Sequence, residues 1–307
     1  MQSSDDLRSL FQDAAAKLAA VKEEGGGLIV MTGAGMSVMS GVSVFRSKDG
    51  KMTPEFLRFL EGYNEAQRGH RLPEAKDWFD FSVGSMFKCQ TAKEAWDYWK
   101  WRVARANVMP ARDYALLKQL MDYFGKDRCF AVTSNCDSLH LKSGGVSEDN
   151  VLEIHGSLAF LQCSEPCCEE LFPITPYLPY LAKDDFVPSC PRCKRECLRP
   201  NVLVFDDFNF EDTRERVQRE NYRRFLKKFE TPDSKRRLAV LEIGAGVVVR
   251  SIRANADHLG SEGRCLIRVN PSKEDCEFEH RSLREKGVGL ATTSEKALEG
   301  ILQSLGQ

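Results

Sequence analysis

Leu28-Ile-Val-Met-Thr-Gly-Ala-Gly-Met-Ser-Val-Met-Ser-Gly-Val-Ser-Val-Phe-Arg-Ser47 is the stretch whose reading decides the fold. An apolar strand, Leu28 to Met31, empties into a turn of small residues and then into a polar loop that carries serines and Arg46. A nucleotide pyrophosphate is held this way. Gly33 and Gly35 let the backbone turn sharply and come close to phosphate oxygens, and a following helix start offers unpaired N–H groups at a positive dipole end. The strict G-x-G-x-x-G pattern is not met, because Val38 stands where its third glycine would fall and the next glycine is Gly41. The alternative reading is a strand-to-helix turn whose glycines serve packing alone.

Two further strands point the same way. Cys129-Phe-Ala-Val-Thr-Ser-Asn-Cys-Asp-Ser-Leu-His140 is apolar and then abruptly polar, as expected where parallel strands end at a binding crevice, and Val151-Leu-Glu-Ile-His-Gly156 repeats the pattern. Asn135, Asp137 and His155 thus have reason to converge on whatever Gly33 to Arg46 holds. Beyond them lie Cys163, Cys167 and Cys168, then Cys190-Pro-Arg-Cys193 and Cys197. The two-residue spacing of Cys190 and Cys193 lets both thiolates reach one tetrahedral zinc ion. Cys163 with either Cys168 or Cys167 completes a set, and we take Cys163, Cys168, Cys190 and Cys193 as the expected ligands. A disulfide pair or free buried thiols are the alternatives. Disulfides are disfavoured, since the N-terminal residues lack a secretory signal and a reducing, non-secreted setting, cytoplasmic or nuclear, is expected.

The 307 residues, 42% hydrophobic and 29% charged, suffice for one sizeable core and a small module. A net charge of −1 gives no global attraction to nucleic acid or to an acidic membrane. No apolar run approaches the roughly 20 residues that cross a bilayer. Strand-like runs at Leu28–Met31, Cys129–Thr133, Val151–Ile154, Val202–Phe205, Leu238–Ile243 and Cys265–Val269 alternate with helical stretches, the pattern of an α/β protein with a parallel sheet covered on both faces. Asp5 to Val21 reads as an amphipathic helix packed on that sheet. Between Asp49 and Asn107 an insertion, helical in its second half, carries Trp78, Phe79, Phe81, Met86, Phe87, Trp96, Trp99 and Trp101, a satellite core rather than a ligand cage. The basic run Arg214 to Lys228 is interrupted by Glu215 and Glu220 and backed by Val217, Phe225, Leu226 and Phe229, so it reads as the solvated face of a helix and leaves nucleic-acid binding unsupported.

Taken in order, Gly33-Ala34-Gly35-Met-Ser37 with Phe45-Arg46, Thr133-Ser134-Asn135-Cys-Asp137, His155-Gly156, the zinc cysteines, Arg199-Pro-Asn-Val-Leu-Val-Phe205, Gly244-Ala245-Gly246 and Val269-Asn270 resemble the sirtuins, NAD-dependent protein deacylases. The resemblance spans about Gly26 to Asn270. It implies a Rossmann-like NAD-binding part at 25–48, 108–157 and 198–307, a cofactor loop and helical insertion at 49–107, and a zinc-binding module at 158–197, together one catalytic domain over 1–307. An acyl-lysine peptide would meet the nicotinamide ribose in the cleft between the parts.

Resemblance also suggests the roles. Gly33, Ala34, Gly35, Ser37, Phe45, Arg46, Ser134, Gly244, Ala245, Gly246 and Asn270 would bind the cofactor, with Ser37 and Arg46 on the diphosphate. Asp137 would accept from the carboxamide N–H, Asn135 would orient the ribose or a water, and His155 would be the general base on a ribose hydroxyl. A four-cysteine zinc has no open position and would be structural. Four places depart from the family. Ser43-Val44 replaces Pro-Asp, Ser134 shortens a glutamine, Asp206-Asp207 follows Phe205 where Gly-Glu is usual, and Ala245-Gly246 replaces Thr-Ser. Asp206 is expected to crowd a peptide docking as an added strand. Deacylation is the leading reading. ADP-ribosyl transfer or NAD hydrolysis is the alternative that Val44 and Asp206 favour, and a weakly catalytic NAD-binding scaffold is the third.

Overall fold

The computed structural model describes residues 4–42, 44, 51–66, 74–82, 92–181, 183, 186–232, 236–247 and 249–307. Its centre is a six-stranded sheet in the order β3-β2-β1-β7-β8-β9. These strands are β1 (Gly27–Thr32), β2 (Cys129–Thr133), β3 (Val151–Glu153), β7 (Leu238–Ile243), β8 (Cys265–Val269) and β9 (Gly287–Leu290), and every neighbouring pair is parallel. All six residues of β1 are buried, which is why the strand reads as a continuous apolar run rather than an alternation. Leu28 and Val30 face one core and Ile29 and Met31 the other, so a single strand nails two layers together.

On the first face the helix Ser4–Glu23 buries Leu7, Phe11, Ala14, Leu18 and Val21 at helical spacing, beside the helices Arg112–Phe124 and Ser294–Ser304. The helices Thr213–Lys227 and Ser251–Glu262 cover the second face with Phe225, Ile252, Ala256 and Leu259. Cations on Thr213–Lys227 are laced into local pairs, Arg216 with Asp212, Arg219 with Glu215 and Arg223 with Glu220. Among the described residues no helix is long and apolar enough to cross a membrane.

A second sheet, β5-β4-β6, is antiparallel and consists of β4 (Gly156–Cys163), β5 (Phe172–Pro173) and β6 (Leu198–Val202). Here the structure corrects the sequence reading, which placed a strand of the parallel sheet at Val202–Phe205. The strand lies earlier, because Arg199 and Asn201 are buried with partners supplied: Asn201 Nδ2 donates to Gln162 Oε1 at 2.8 Å, and Arg199 pairs with Asp207 at 2.7 Å. Polar residues in a strand hide it from a hydrophobic pattern. β9 lacks an apolar run for another reason, its two glycines, where Cβ atoms would strike Leu283 O and the Phe278 ring at Gly287 and Cys276 O at Gly289.

This second sheet shares a core with the helices Pro54–Ala66 and Ala92–Ala106, where Phe56, Leu60, Trp96 and Trp99 meet Leu161, Cys163, Cys190 and Leu198. Trp96 Nε1 donates to Leu198 O at 2.6 Å. Phe81 joins that core while Phe79 is exposed; Met86 and Phe87 lie outside the described residues.

A buried ion cluster ties β7 to β8. Glu242, fully buried, accepts from Arg268 Nε at 3.0 Å and faces Arg253 at 3.4 Å. Removing one partner of such a group leaves buried charge uncompensated. Glu242→Leu should therefore cost about 3–5 kcal/mol in denaturant unfolding, with Arg253 losing its carboxylate partner and Arg268 keeping only Asp257.

Candidate functional site

The sheet order reverses between β1 and β7, the two strands that run outward from the centre, and the loops leaving their carboxyl ends bound the crevice where open α/β sheets bind ligands. These loops are Gly33–Ser37 and Gly244–Gly246. They touch backbone to backbone: a Cβ on Gly33 would lie 2.7 Å from Ala245 Cα, and one on Gly35 would lie 2.7 Å from Gly244 Cα. Gly244 itself has φ +63°, and its own Cβ would fall 2.5 Å from Met36 N. Packing between loops thus demands these three glycines.

The turn after β1 is a single 3₁₀ turn, Ala34–Ser37, rather than the opening of a long helix. Gly33 N–H donates to Ile243 O, Gly35 N–H to Gly244 O and Met36 N–H to Gly33 O, at 3.0, 3.0 and 3.1 Å. The sequence reading assigned such donors to phosphate; those three are already engaged. Gly246 faces open space. Asn270 Nδ2 donates to Ala245 O at 3.3 Å and so steadies this second loop from β8.

At the ends of β1 and β2 a polar network is buried. Ser37 Oγ donates to Asp137 Oδ2 at 2.6 Å and accepts from Asn135 Nδ2 at 2.9 Å. Its one proton being committed, the Tyr114 hydroxyl at 3.3 Å is the donor to it. The other Asn135 N–H reaches Gly33 O at 2.9 Å, and the second Asp137 oxygen accepts from Leu139 N–H at 2.9 Å. Burial pushes Tyr114 well up, so it remains a neutral phenol. Behind this group Thr133 Oγ1 donates to Thr32 O and Thr32 Oγ1 to Thr133 Oγ1, which leaves His140 Nε2, 2.7 Å from Thr32 Oγ1, to be a donor. Burial holds His140 down at about 4, neutral at any ordinary pH. Tyr114, His140 and the two threonines were not singled out from sequence. A buried polar side chain on an apolar strand or helix face was the available signal.

His155 follows β3 and is half-buried; its carbonyl accepts from Leu203 N–H at 3.0 Å. Burial lowers its pKa from the ordinary 6.5, against a hydrogen bond to the Ser134 backbone that raises it. Ser134 thus meets His155 through its main chain. Next to Asp137, Ser138 holds the left-handed conformation at φ 58°, rare for a residue with a Cβ. Its hydroxyl is anchored at 3.2 Å to Glu153 Oε1 and at 2.6 Å to Ser157 Oγ. Burial pushes Glu153 up to about 7 against the pull of Arg214. Phe45 and Arg46 lie outside the described residues.

Asp206 also takes a positive φ, 55°, on the exposed loop after β6. The loop keeps a glycine-like bend through an aspartate, one of the residue types that tolerate it best. Phe205 beside it is exposed, its ring 5.2 Å from that of Phe79 and its N–H donating to Ser82 O at 2.6 Å, so the insertion abuts this edge.

At the end of β4 and in the segments between β4 and β6, the sulfurs of Cys163, Cys167, Cys190 and Cys193 all lie within 4.8 Å of one another. Zinc–sulfur bonds near 2.3 Å put tetrahedral sulfurs about 3.8 Å apart, so four such thiols fit the ion. Burial opposes ionisation of Cys190, yet the Cys193 and Arg192 backbone N–H groups bring it below the ordinary thiol range. The sequence reading placed Cys168 in this set; the structure puts Cys167 there instead. It is Cys167 Sγ that lies 3.6 Å from Cys190 Sγ.

A family model described as the Sir2 family matches residues 33–224. Among curated proteins, an NAD-dependent protein deacylase of Pyrococcus abyssi is 30% identical over 248 residues, 79% of this chain and 80% of that protein. NAD-dependent protein deacylase 1 of Archaeoglobus fulgidus is 26% identical over 252 residues, 80% of this chain and 82% of that protein. Among solved structures, one from a study of the mechanism and regulation of Sir2 enzymes superposes with a TM-score of 0.62 at 20% identity, covering 96% of each chain. A Sir2 homolog–NAD complex gives 0.62 at 19% identity over 94% of this chain and 92% of that one. Identity this low carries the fold alone.

A closed metal site contributes folding energy directly. Cys190→Ser should lower the melting temperature and release about one zinc per chain, read by metal analysis of the folded protein. A folded wild type without zinc contradicts the assignment.

Proposed function

This chain belongs to the Sir2 family, and on that premise we propose how its own residues carry out NAD-dependent protein deacylation, with an acyl-lysine of a protein or peptide as second substrate. The observation that carries the reading is the buried Ser37–Asn135–Asp137 network at the switch point, with His155 reached through the Ser134 backbone. NAD supplies the bond from ribose to nicotinamide, whose cleavage leaves positive charge on the sugar. Ser37 and Leu139 fix both oxygens of Asp137, which keeps its carboxylate oriented to accept from the nicotinamide carboxamide N–H. Asn135, anchored on Gly33 O and Ser37, orients the ribose.

His155 takes the proton of a ribose hydroxyl on an imidazole nitrogen. Its lowered pKa serves this task, because the imidazole is then neutral at pH 7. Gly246, where no atom would meet a Cβ, would give the diphosphate close backbone approach, on a loop steadied by Asn270 at Ala245 O. The cysteine set would hold zinc with no open position, so the metal would be structural, tying the end of β4 to the segments between β4 and β6. ADP-ribosyl transfer and NAD hydrolysis break the same bond. Products separate the classes: nicotinamide with O-acyl-ADP-ribose, modified protein, or free ADP-ribose.

His155→Ala should cut acyl-lysine turnover by about a hundredfold or more while calorimetric NAD affinity changes little. Full deacylation by the variant removes His155 from the mechanism. In the wild type, protonation of the base silences it. With His155 lowered below 6.5, the acid limb of kcat/KM should fall off below that pH rather than above it.

The Asp206 loop yields a second test. Asp206→Gly with Val44→Asp should raise acetyl-peptide turnover above wild type, since glycine is at ease at φ 55° and removes charge and bulk from the edge where a strand would dock. NAD cleavage without peptide should stay level or fall. Slower turnover in the double variant would show that the departures are accommodated by the wild-type cleft.

A further inference from the structure

The metal centre holds more sulfur than an ion can use. Cys197 is 4% exposed and lies outside the set of four, yet its sulfur is 3.5 Å from Cys163 Sγ and 3.7 Å from Cys193 Sγ. Backbone bonds hold it there: Cys197 N–H donates to Arg195 O at 2.9 Å, and Cys197 O accepts from Ser164 N–H at 2.9 Å. It therefore stands just before β6, beside the end of β4, where Cys163 pairs with Leu198. Four thiolates complete a tetrahedral zinc site, so the fifth thiol has no coordination to make.

Cys168 is a second spare, 3.8 Å from Cys167 Sγ. Adjacent residues, however, have Cα atoms about 3.8 Å apart, below the roughly 4.4 Å at which disulfide Cα separations usually begin. Cys168 is thus badly placed to bridge its neighbour. Cys197 is held against two ligands from other positions in the chain.

We propose that Cys197 is the resolving thiol of the metal centre, closing a disulfide with Cys163 or Cys193 when a peroxide oxidises either ligand. In the first step the ligand thiolate attacks one peroxide oxygen, the O–O bond breaks, hydroxide leaves and the sulfur becomes a sulfenic acid. In the second, the Cys197 sulfur attacks that sulfur, the S–O bond breaks, and the departing hydroxyl leaves as water with the Cys197 proton. One peroxide is reduced and two sulfurs are oxidised. An ion held by the set would then keep three of its four ligands and be released. A dithiol reverses the bridge and restores the site.

The test treats the zinc-loaded full chain with hydrogen peroxide, follows released zinc with a chromophoric chelator and maps bridges by mass spectrometry of a non-reducing digest. The wild type should release its zinc with Cys197 joined to Cys163 or Cys193, and dithiothreitol with added zinc should restore the metal content. Cys197→Ser should bind as much zinc as the wild type before treatment. After peroxide it should form no such bridge and fail to recover, its ligand having advanced to sulfinic acid. Cys168→Ser should behave as the wild type. The proposal is overturned if untreated Cys197→Ser lacks zinc, which makes Cys197 a ligand. It is equally overturned if the wild type loses zinc with Cys197 still reduced, or if Cys197→Ser recovers as the wild type does.

Discussion

The contact on which the rest depends is the one between two glycine turns, Gly33–Gly35 after β1 and Gly244 after β7. Two parallel strands side by side diverge in their connections, since the chain leaves β1 toward one half of the sheet and β7 toward the other. Their loops can be kept together at the strand ends only if the backbones meet without intervening side chains. The meeting uses up several N–H groups that a simple phosphate loop would leave free. Polar groups at the strand ends hang from these turns: Asn135 on Gly33 O, Ser37 at the end of the 3₁₀ turn, Asn270 on Ala245 O.

Above that floor, proton counting fixes an order. Ser37 has a single proton, given to Asp137, so Asn135 and Tyr114 must both donate to it; His140 likewise donates to Thr32. Each group has one arrangement that satisfies its neighbours. Unsatisfied buried donors or acceptors would cost about 1–3 kcal/mol apiece, so the network is held as a unit. Ser138, bent into a left-handed conformation, is retained by the same means through Glu153 and Ser157.

Much of this was legible in sequence, and the rest was hidden for definable reasons. β1 and β2 are apolar runs because both faces are buried, β7 and β8 are so but for one charged residue each, Glu242 and Arg268, and Asn135, Asp137 and His155 follow strand ends. β6 could not be read, since Arg199 and Asn201 are buried polar residues whose partners, Asp207 and Gln162, lie on other segments. Sequence left open whether Gly33 and Gly35 serve phosphate or packing, because the atoms that their Cβ would strike belong to residues more than two hundred positions away. Spacing alone left Cys167 and Cys168 equivalent, and only the path of the chain after β4 brings Cys167 against Cys190.

The central claim is that the glycine-to-glycine contact shapes the NAD crevice, and Gly35→Ala measures it most directly. Its Cβ would fall 2.7 Å from Gly244 Cα, a backbone atom that cannot turn aside, so the two loops must separate. Calorimetric titration with NAD should show affinity reduced by roughly tenfold or more, a cost of about 1.4 kcal/mol or above, in a chain that still folds and retains its zinc. Wild-type affinity in that variant would contradict the account.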